Sequence, residues 1–259
     1  MRFLETAVRA AKQAGKVHLR YFNKKIKIRT KSSYNDRVTK ADTESEKAIV
    51  KEIKKSFPRH NFLAEEKKYR KTKSVYTWII DPLDGTNNFS SGMPIFCSSV
   101  ALAKGSRIII GVVYNPVAKE LFHAEKGRGA YLNGKRIRVD SNNELKDCLL
   151  ITGFYYNRGY MMLNNLVNIK YFFLRKILGL RRLGSAALDL CNVASARASG
   201  FWEFRLNPWD FAAGSLIVEE AGGIVTDRKG QHLGIKAGYV VASNGKIHDK
   251  MLKVLNRAY

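Results

Sequence analysis

The chain has 259 residues, 45% of them hydrophobic, with 46 Lys+Arg against 22 Asp+Glu and a formal charge of +24. At ~150 residues per domain this length allows one large domain or two ordinary ones, and the patterned apolar content excludes a disordered chain. The densest aliphatic run, Ile108–Val113, falls far short of the ~20 residues that cross a bilayer, and Glu5, Arg9, Lys12 and Lys16 break up the first segment, so neither a membrane span nor a secretory signal is expected.

Helical spacing of Phe3, Leu4, Ala7, Val8, Ala11 and Ala14 predicts a first helix over 2–22. Thr43-Glu44-Ser45-Glu46 reads as a capping box for a second helix, with Ile49, Val50, Ile53 and Phe57 on one face and Pro58 as its stop. The period then changes, and strands are expected at 61–64, 76–81, 95–103, 108–115 and 120–125. Asn133-Gly134 marks a hairpin between 130–132 and 135–137. Beyond residue 145 the texture is mixed. Strands are expected at 149–153, 200–203, 224–227 and 239–243, and helices at 160–178, 185–198, 208–221 and 247–257. Pro208 falls in the first turn of its helix. The chain thus divides softly near residue 140, with 1–140 an α+β half of mostly antiparallel sheet and 141–259 an α/β half.

Cys97, Cys148 and Cys191 are widely spaced and form no CxxC pair, so neither a disulfide framework nor a zinc site is indicated, and a reducing, cytoplasmic setting is expected. The positive excess fits a polyanionic partner, steering of anionic substrates, or a lysine-rich surface that is simply solvated.

The informative segment is Trp78-Ile-Ile-Asp81-Pro-Leu-Asp84-Gly-Thr86-Asn-Asn-Phe89, in which an apolar strand runs into two carboxylates. Clustered carboxylates repel unless something offsets them, and a hard divalent cation such as Mg²⁺ does so while leaving room for phosphate. The amides of Gly85 and Thr86, where a helix could start, suit a phosphate oxyanion. Alone, a DxxD is more often a surface turn that satisfies its own backbone. Glu65-Glu66 follows the strand 61–64, and Trp209-Asp210 opens the helix 208–221. Together these acids form the set that a phosphatase using more than one metal ion requires. The five histidines at 18, 60, 123, 232 and 248 have no ligand spacing and are read as packing or surface residues.

Asp81–Phe89 resembles the first signature of the inositol monophosphatase family, and Trp209–Gly214 continuing to Glu220–Gly223 resembles the second. The likeness extends to Val38–Asp42, Ala64–Glu66, Gly184–Ala187 and Phe201–Glu203 in family order. It implies a layered αβαβα sandwich of the sugar phosphatase type and a Mg²⁺-dependent phosphomonoesterase with two or three ions, Mn²⁺ as a possible substitute, and no covalent phosphoenzyme. It further implies Glu65, Asp81, Asp84, Asp210 and the Leu83 carbonyl as metal ligands. Asp42 and Thr86 would orient the attacking water and Glu65 help to activate it, while Gly85 and Thr86 would hold phosphate. Gly184, Ser185, Ala186, Glu203, Asp84 and Asp210 would line the substrate pocket, with Lys31 on a basic loop nearby.

Two features depart from the family pattern. A basic run, Lys67-Lys68-Tyr69-Arg70-Lys71-Thr72-Lys73, follows Glu66, either as a steering loop or as a solvated flap. Arg205, with Arg181 and Arg182, is placed in sequence to grip a second phosphate. The resemblance implies inositol 1-phosphate as the default substrate; the three arginines keep fructose 1,6-bisphosphate as an alternative, beside histidinol phosphate and 3′-phosphoadenosine 5′-phosphate. The resemblance implies a homodimer, and lithium inhibition follows only by analogy. A role on RNA with the transcription machinery, known in one bacterial branch, suits the charge, although no aromatic–basic stacking motif is present.

Overall fold

The computed structural model describes residues 2–24, 28–30, 37–154 and 159–257. Its first helix, α1 (Arg2–Tyr21), is followed by a short ribbon of β1 (Ile28–Thr30) and β2 (Arg37–Thr39), then by α2 (Lys40–Ser56). The helix α2 begins earlier than Thr43 suggests. Its N-cap is Thr39, and the reciprocal partner is Asp42, whose Oδ2 accepts from the Thr39 amide at 2.7 Å. Glu46 is not free to close the other box, because its carboxylate accepts from the Glu66 amide (2.8 Å) and the Tyr69 hydroxyl (2.9 Å).

A seven-stranded sheet follows in the order β3 (Asn61–Ala64), β4 (Tyr76–Asp84), β5 (Cys97–Lys104), β6 (Arg107–Asn115), β7 (Glu120–Glu125), β8 (Ala130–Leu132) and β9 (Lys135–Ile137). Only the β3–β4 pair is parallel. Between β4 and β5 the five-residue helix α3 (Thr86–Ser90) starts where the sequence placed a helix turn. The second sheet runs β11-β10-β12-β14-β13 and is built from β10 (Leu149–Thr152), β11 (Gly179–Arg181), β12 (Gly200–Leu206), β13 (Ile224–Thr226) and β14 (Gly238–Ser243). Its helices are α4 (Tyr160–Leu174), α5 (Ala186–Ala194), α6 (Pro208–Glu220) and α7 (His248–Leu255). The three-residue strands β1, β2 and β11 are not among those expected from the sequence.

The layers follow from which apolar faces meet. Ala7, Ala10, Ala11 and Ala14 of α1 pack with Ile49 and Ile53 of α2 against Trp78, Ile80, Val100 and Val112 of the first sheet. These small residues let α1 lie close, and Gly15 is required because a Cβ there would fall 2.5 Å from the Tyr114 ring. The central layer is α5 with α6, buried between the two sheets. At Gly111 a Cβ would meet the Ala213 carbonyl at 2.5 Å, so α6 presses directly on β6. The last layer, α4 and α7, covers the outer face of the second sheet around Phe172, Trp202 and Met251. The result is the αβαβα sandwich expected from the sequence, with the acidic turn at the edge of its middle layer. No helix among the described residues is long and apolar enough to cross a membrane.

Candidate active site

The strand β4 carries the first two acids, and it runs three residues further than the sequence suggested. Its pairing with β5 lapses between Asp81 and Asp84, so the backbone bulges there. The bulge turns Asp81, Leu83 and Asp84 into one pocket of about 80 Å³. The same pocket is lined by Glu65 just after β3, by Gly85 and Thr86, by Gly184 and Ala186 at the start of α5, by Glu203 of β12 and by Asp210 of α6. Five acids from four separate stretches of sequence therefore share one neighbourhood. Asn87, Gly153, Phe154, Arg182, Leu206, Asn207 and Trp209 complete the wall and were not singled out as a pocket from the sequence, apart from Arg182.

Three of the acids are held by neutral donors. Asp81 Oδ1 accepts from the Leu83 amide (2.9 Å), and Asp210 Oδ2 accepts from the Asn207 amide (2.7 Å) as the reciprocal half of the α6 capping box. Asp84 Oδ2 accepts from the Ser185 hydroxyl (2.6 Å) and the Ala187 amide (2.8 Å), which places a carboxylate at the N-terminal end of α5. Ser185 thus acts behind Asp84 and does not face the pocket. Gly85 has φ +94°, and a Cβ would lie 2.8 Å from the Ile95 carbonyl, so this turn admits only glycine without strain.

Burial and mutual repulsion push these acids up. The Asp81 carboxyl is raised well above its ordinary value by burial, then by Glu65, Asp84 and Asp210. Asp210 is raised well above its ordinary value by burial, then by Glu65 and Asp84, with Glu203 adding to them. Asp84 is raised by burial, against its hydrogen bonds from Ser185 and α5. Glu203 rises to about 8 through burial, partly offset by Arg182. This buried set of carboxylate oxygens, joined by the Leu83 carbonyl, has the chemistry of a hard divalent cation site. Among the described residues no three of these side chains are already drawn into a closed metal-binding group, and the acids instead ring an open pocket.

Asp42 stands behind the pocket, fully buried, and is raised to about 6 chiefly by burial. Its Oδ1 accepts from Thr86 Oγ1 at 2.9 Å, and the same hydroxyl lies 3.0 Å from the Leu83 carbonyl. A hydroxyl has one proton. When Asp42 is ionised the proton goes to the carboxylate, which frees the Leu83 oxygen for a cation and leaves Thr86 lone pairs to accept from a water.

The three candidate arginines separate. Arg205 sits at the β12 bulge between Glu203 and Leu206 with φ +59°, and this leaves its side chain exposed and outside the pocket lining. Arg181 is exposed and donates to the Leu180 carbonyl. Arg182 does line the pocket, and a Cβ on Gly184 would fall 2.5 Å from its Nη1. Lys31 lies outside the described residues. The basic run is exposed at Lys67, Lys68, Arg70, Lys71 and Lys73, is pinned through Tyr69 and through Thr72 to Arg59 and Asn61, and does not enter the pocket. None of the five histidines lines it either. A larger cavity of about 680 Å³ lies elsewhere, against Ile108, Phe211, Leu216 and Leu233, but its one carboxylate, Glu219, is paired with Lys126 at 3.1 Å. The chemistry therefore belongs to the smaller, acidic pocket.

Known proteins resemble this chain over nearly its whole length. The chain is 44% identical over 256 residues to a putative Nus factor SuhB of Neisseria meningitidis, covering 98% of each. It superposes on the Thermotoga maritima IMPase with a TM-score of 0.91 at 38% identity, covering 100% of this chain and 98% of that one. A structure described as an IMPase/NADP phosphatase complexed with Mg²⁺ and phosphate gives a TM-score of 0.84 at 28% identity, over 95% of this chain and 91% of that one. The profile of the inositol monophosphatase family matches residues 1–258, and the chain belongs to that family.

Proposed function

We propose that the protein is a Mg²⁺-dependent phosphomonoesterase that hydrolyses a small sugar or polyol phosphate, with inositol 1-phosphate as the default substrate. The observation that carries this reading is the convergence of Glu65, Asp81, Asp84 and Asp210 on one pocket beside the amides of Gly85 and Thr86. The Asp and Glu carboxylates with the Leu83 carbonyl would hold two or three Mg²⁺ ions, with Mn²⁺ able to replace them. Bound there, the metal supplies neutralisation of the phosphate and a lowered pKa for water. Thr86, donating to Asp42, accepts a hydrogen bond from the attacking water and passes its proton toward the buried carboxylate, with Glu65 as the second acceptor. Gly85 and Thr86 amides orient the phosphate. Glu203, Asp84, Asp210, Gly184 and Ala186 face the leaving alcohol, and Ser185 fixes Asp84.

On this reading residues 1–140 supply most of the metal ligands, 141–259 complete the substrate pocket, and the enzyme works as a homodimer in the cytoplasm. Arg182 is the cation placed to meet a second anionic group, which keeps fructose 1,6-bisphosphate as the next substrate before histidinol phosphate or the 3′,5′-bisphosphate nucleotide. The test is phosphate release with Mg²⁺ over these four esters. Turnover of inositol 1-phosphate at least ~10-fold above the others, in kcat/KM, is expected, and turnover of none overturns the reading.

A second role is favoured by the +24 charge and by the relative named as a putative Nus factor. We infer that the basic surface also contacts an RNA-bearing complex, independently of the acids. Asp84→Asn should then abolish phosphate release while salt-dependent RNA retention persists; absence of RNA retention in the unaltered protein removes this role.

A further inference from the structure

A single buried histidine lies on the packed face of α1, which is otherwise made mostly of alanine. His18 has no exposed surface, and its ring meets Phe96 (5.7 Å between centroids, 80°) and Phe89 (6.3 Å, 63°) edge-on. Its Nε2 is 2.8 Å from the Pro82 carbonyl oxygen. A carbonyl only accepts, so Nε2 carries the proton and Nδ1 does not. Nδ1 is buried without a hydrogen-bond partner among the described residues. An orphaned ring nitrogen is a cost that an apolar side chain would avoid, which asks what the histidine is retained for.

The backbone of β4 answers. Its last bond on the β3 edge is from the Glu65 amide to the Ile80 carbonyl (3.3 Å), after which β3 has ended. Two residues further, no strand among the described residues pairs with the Pro82 carbonyl, and the ladder to β5 lapses at the same point. His18 supplies the missing donor. The other end of that same peptide unit is the Leu83 N–H, which donates to Asp81 Oδ1 at 2.9 Å. The 82–83 peptide is thus held at both ends, by His18 on its oxygen and by Asp81 on its nitrogen. A hydrogen bond on the oxygen also polarises the N–H and strengthens its hold on the carboxylate.

We propose that His18 is a positioning residue for the cation site: by fixing the 82–83 peptide from the α1 layer it sets the orientation of the Asp81 carboxylate and of the Leu83 carbonyl that follows. This rests on the metal-dependent reading above. The ring stays neutral in this role, since burial among aromatic rings pushes it down to about 4, against the hydrogen bond to Pro82.

The test compares His18→Gln, which keeps a donor of similar reach, with His18→Met, which fills the same space without one. Mn²⁺ binding followed by electron paramagnetic resonance, which needs no turnover, should weaken about 10-fold in His18→Met and stay within about 3-fold of the unaltered protein in His18→Gln, the scale typical of residues that orient metal ligands. The Mg²⁺ concentration for half-maximal phosphate release should move in parallel, with KM for the ester at saturating Mg²⁺ little changed. Equal Mn²⁺ affinity in the two variants, whatever their melting temperatures, leaves only a packing role and overturns the proposal. If neither variant folds, the unaltered protein still answers: its ¹⁵N-labelled His18 signals should shape as an Nε2–H tautomer and shift on Mg²⁺ addition, and signals indifferent to Mg²⁺ overturn it. An unaltered protein that binds Mn²⁺ yet hydrolyses no ester would instead overturn the phosphatase reading and leave this comparison intact.

Discussion

Two regions of the molecule use charge in opposite ways. On the surface, cations outnumber anions and are mostly solvated, and pairs such as Lys250–Glu144 and Lys40–Glu44 sit in water. Such pairs contribute roughly 0–1 kcal/mol each. In the pocket, a few acids are buried against one another, and burial raises the pKa of each despite the amides and hydroxyls that hold them. Many charges matter little in the first region and few matter greatly in the second, because desolvation decides the strength of an interaction. The net charge of the chain therefore describes its surface and hides its site.

The sharpest way to break this contrast is Asp81→Asn. The amide oxygen still accepts from the Leu83 N–H, while the charge is gone. Phosphate release should fall by about 10³-fold, the scale of several kcal/mol of lost metal stabilisation. The metal-free protein should at the same time melt at a higher temperature, since a repelled buried acid has been removed. Calorimetry without Mg²⁺ checks the second half, and a lower melting temperature would refute the repulsion account.

A smaller effect tests the cost of burying these acids through pH. Burial raises Glu203 from its ordinary 4.5 to about 8, and Asp42 from 3.8 to about 6. Folding therefore takes up protons, and the stability these groups contribute is full below about pH 4 and is lost as pH rises through about 6 and then about 8. Thermal melts of the metal-free protein should show a falling melting temperature from pH 5 to 8. Saturating Mg²⁺ should flatten that slope, because cation binding favours the ionised acids.

The smallest effect belongs to the surface. Reversing Lys67, Lys68 and Lys71 to Glu should lower kcat/KM for an anionic ester by less than about 10-fold at low salt, with the difference vanishing at high ionic strength. A loss that survives in high salt would place the loop in contact with substrate.

The elements with a long hydrophobic period, α1 and α2, and the strands with clear turn signals, such as β7 and the β8–β9 hairpin around Asn133-Gly134, were legible in the sequence because local pattern and burial agree there. The two acidic signatures were legible too, as strings of residue types whose chemistry suits a divalent cation. Other features were written only in three dimensions. The α2 cap moved from Thr43 to Thr39 because Glu46 is bound by Glu66 and Tyr69 from another element. Arg205 was turned out of the pocket by a bulge in β12 whose position no local pattern announces, while Arg182, just after β11, lines it. His18 looked like a packing residue, since nothing near it in sequence mentions Pro82, 64 positions away. Residue type and spacing fixed which chemistry this chain is able to perform. Tertiary structure decided which side chains perform it, because desolvation, hydrogen-bond supply and the direction of a bulged strand are properties of contacts between distant segments.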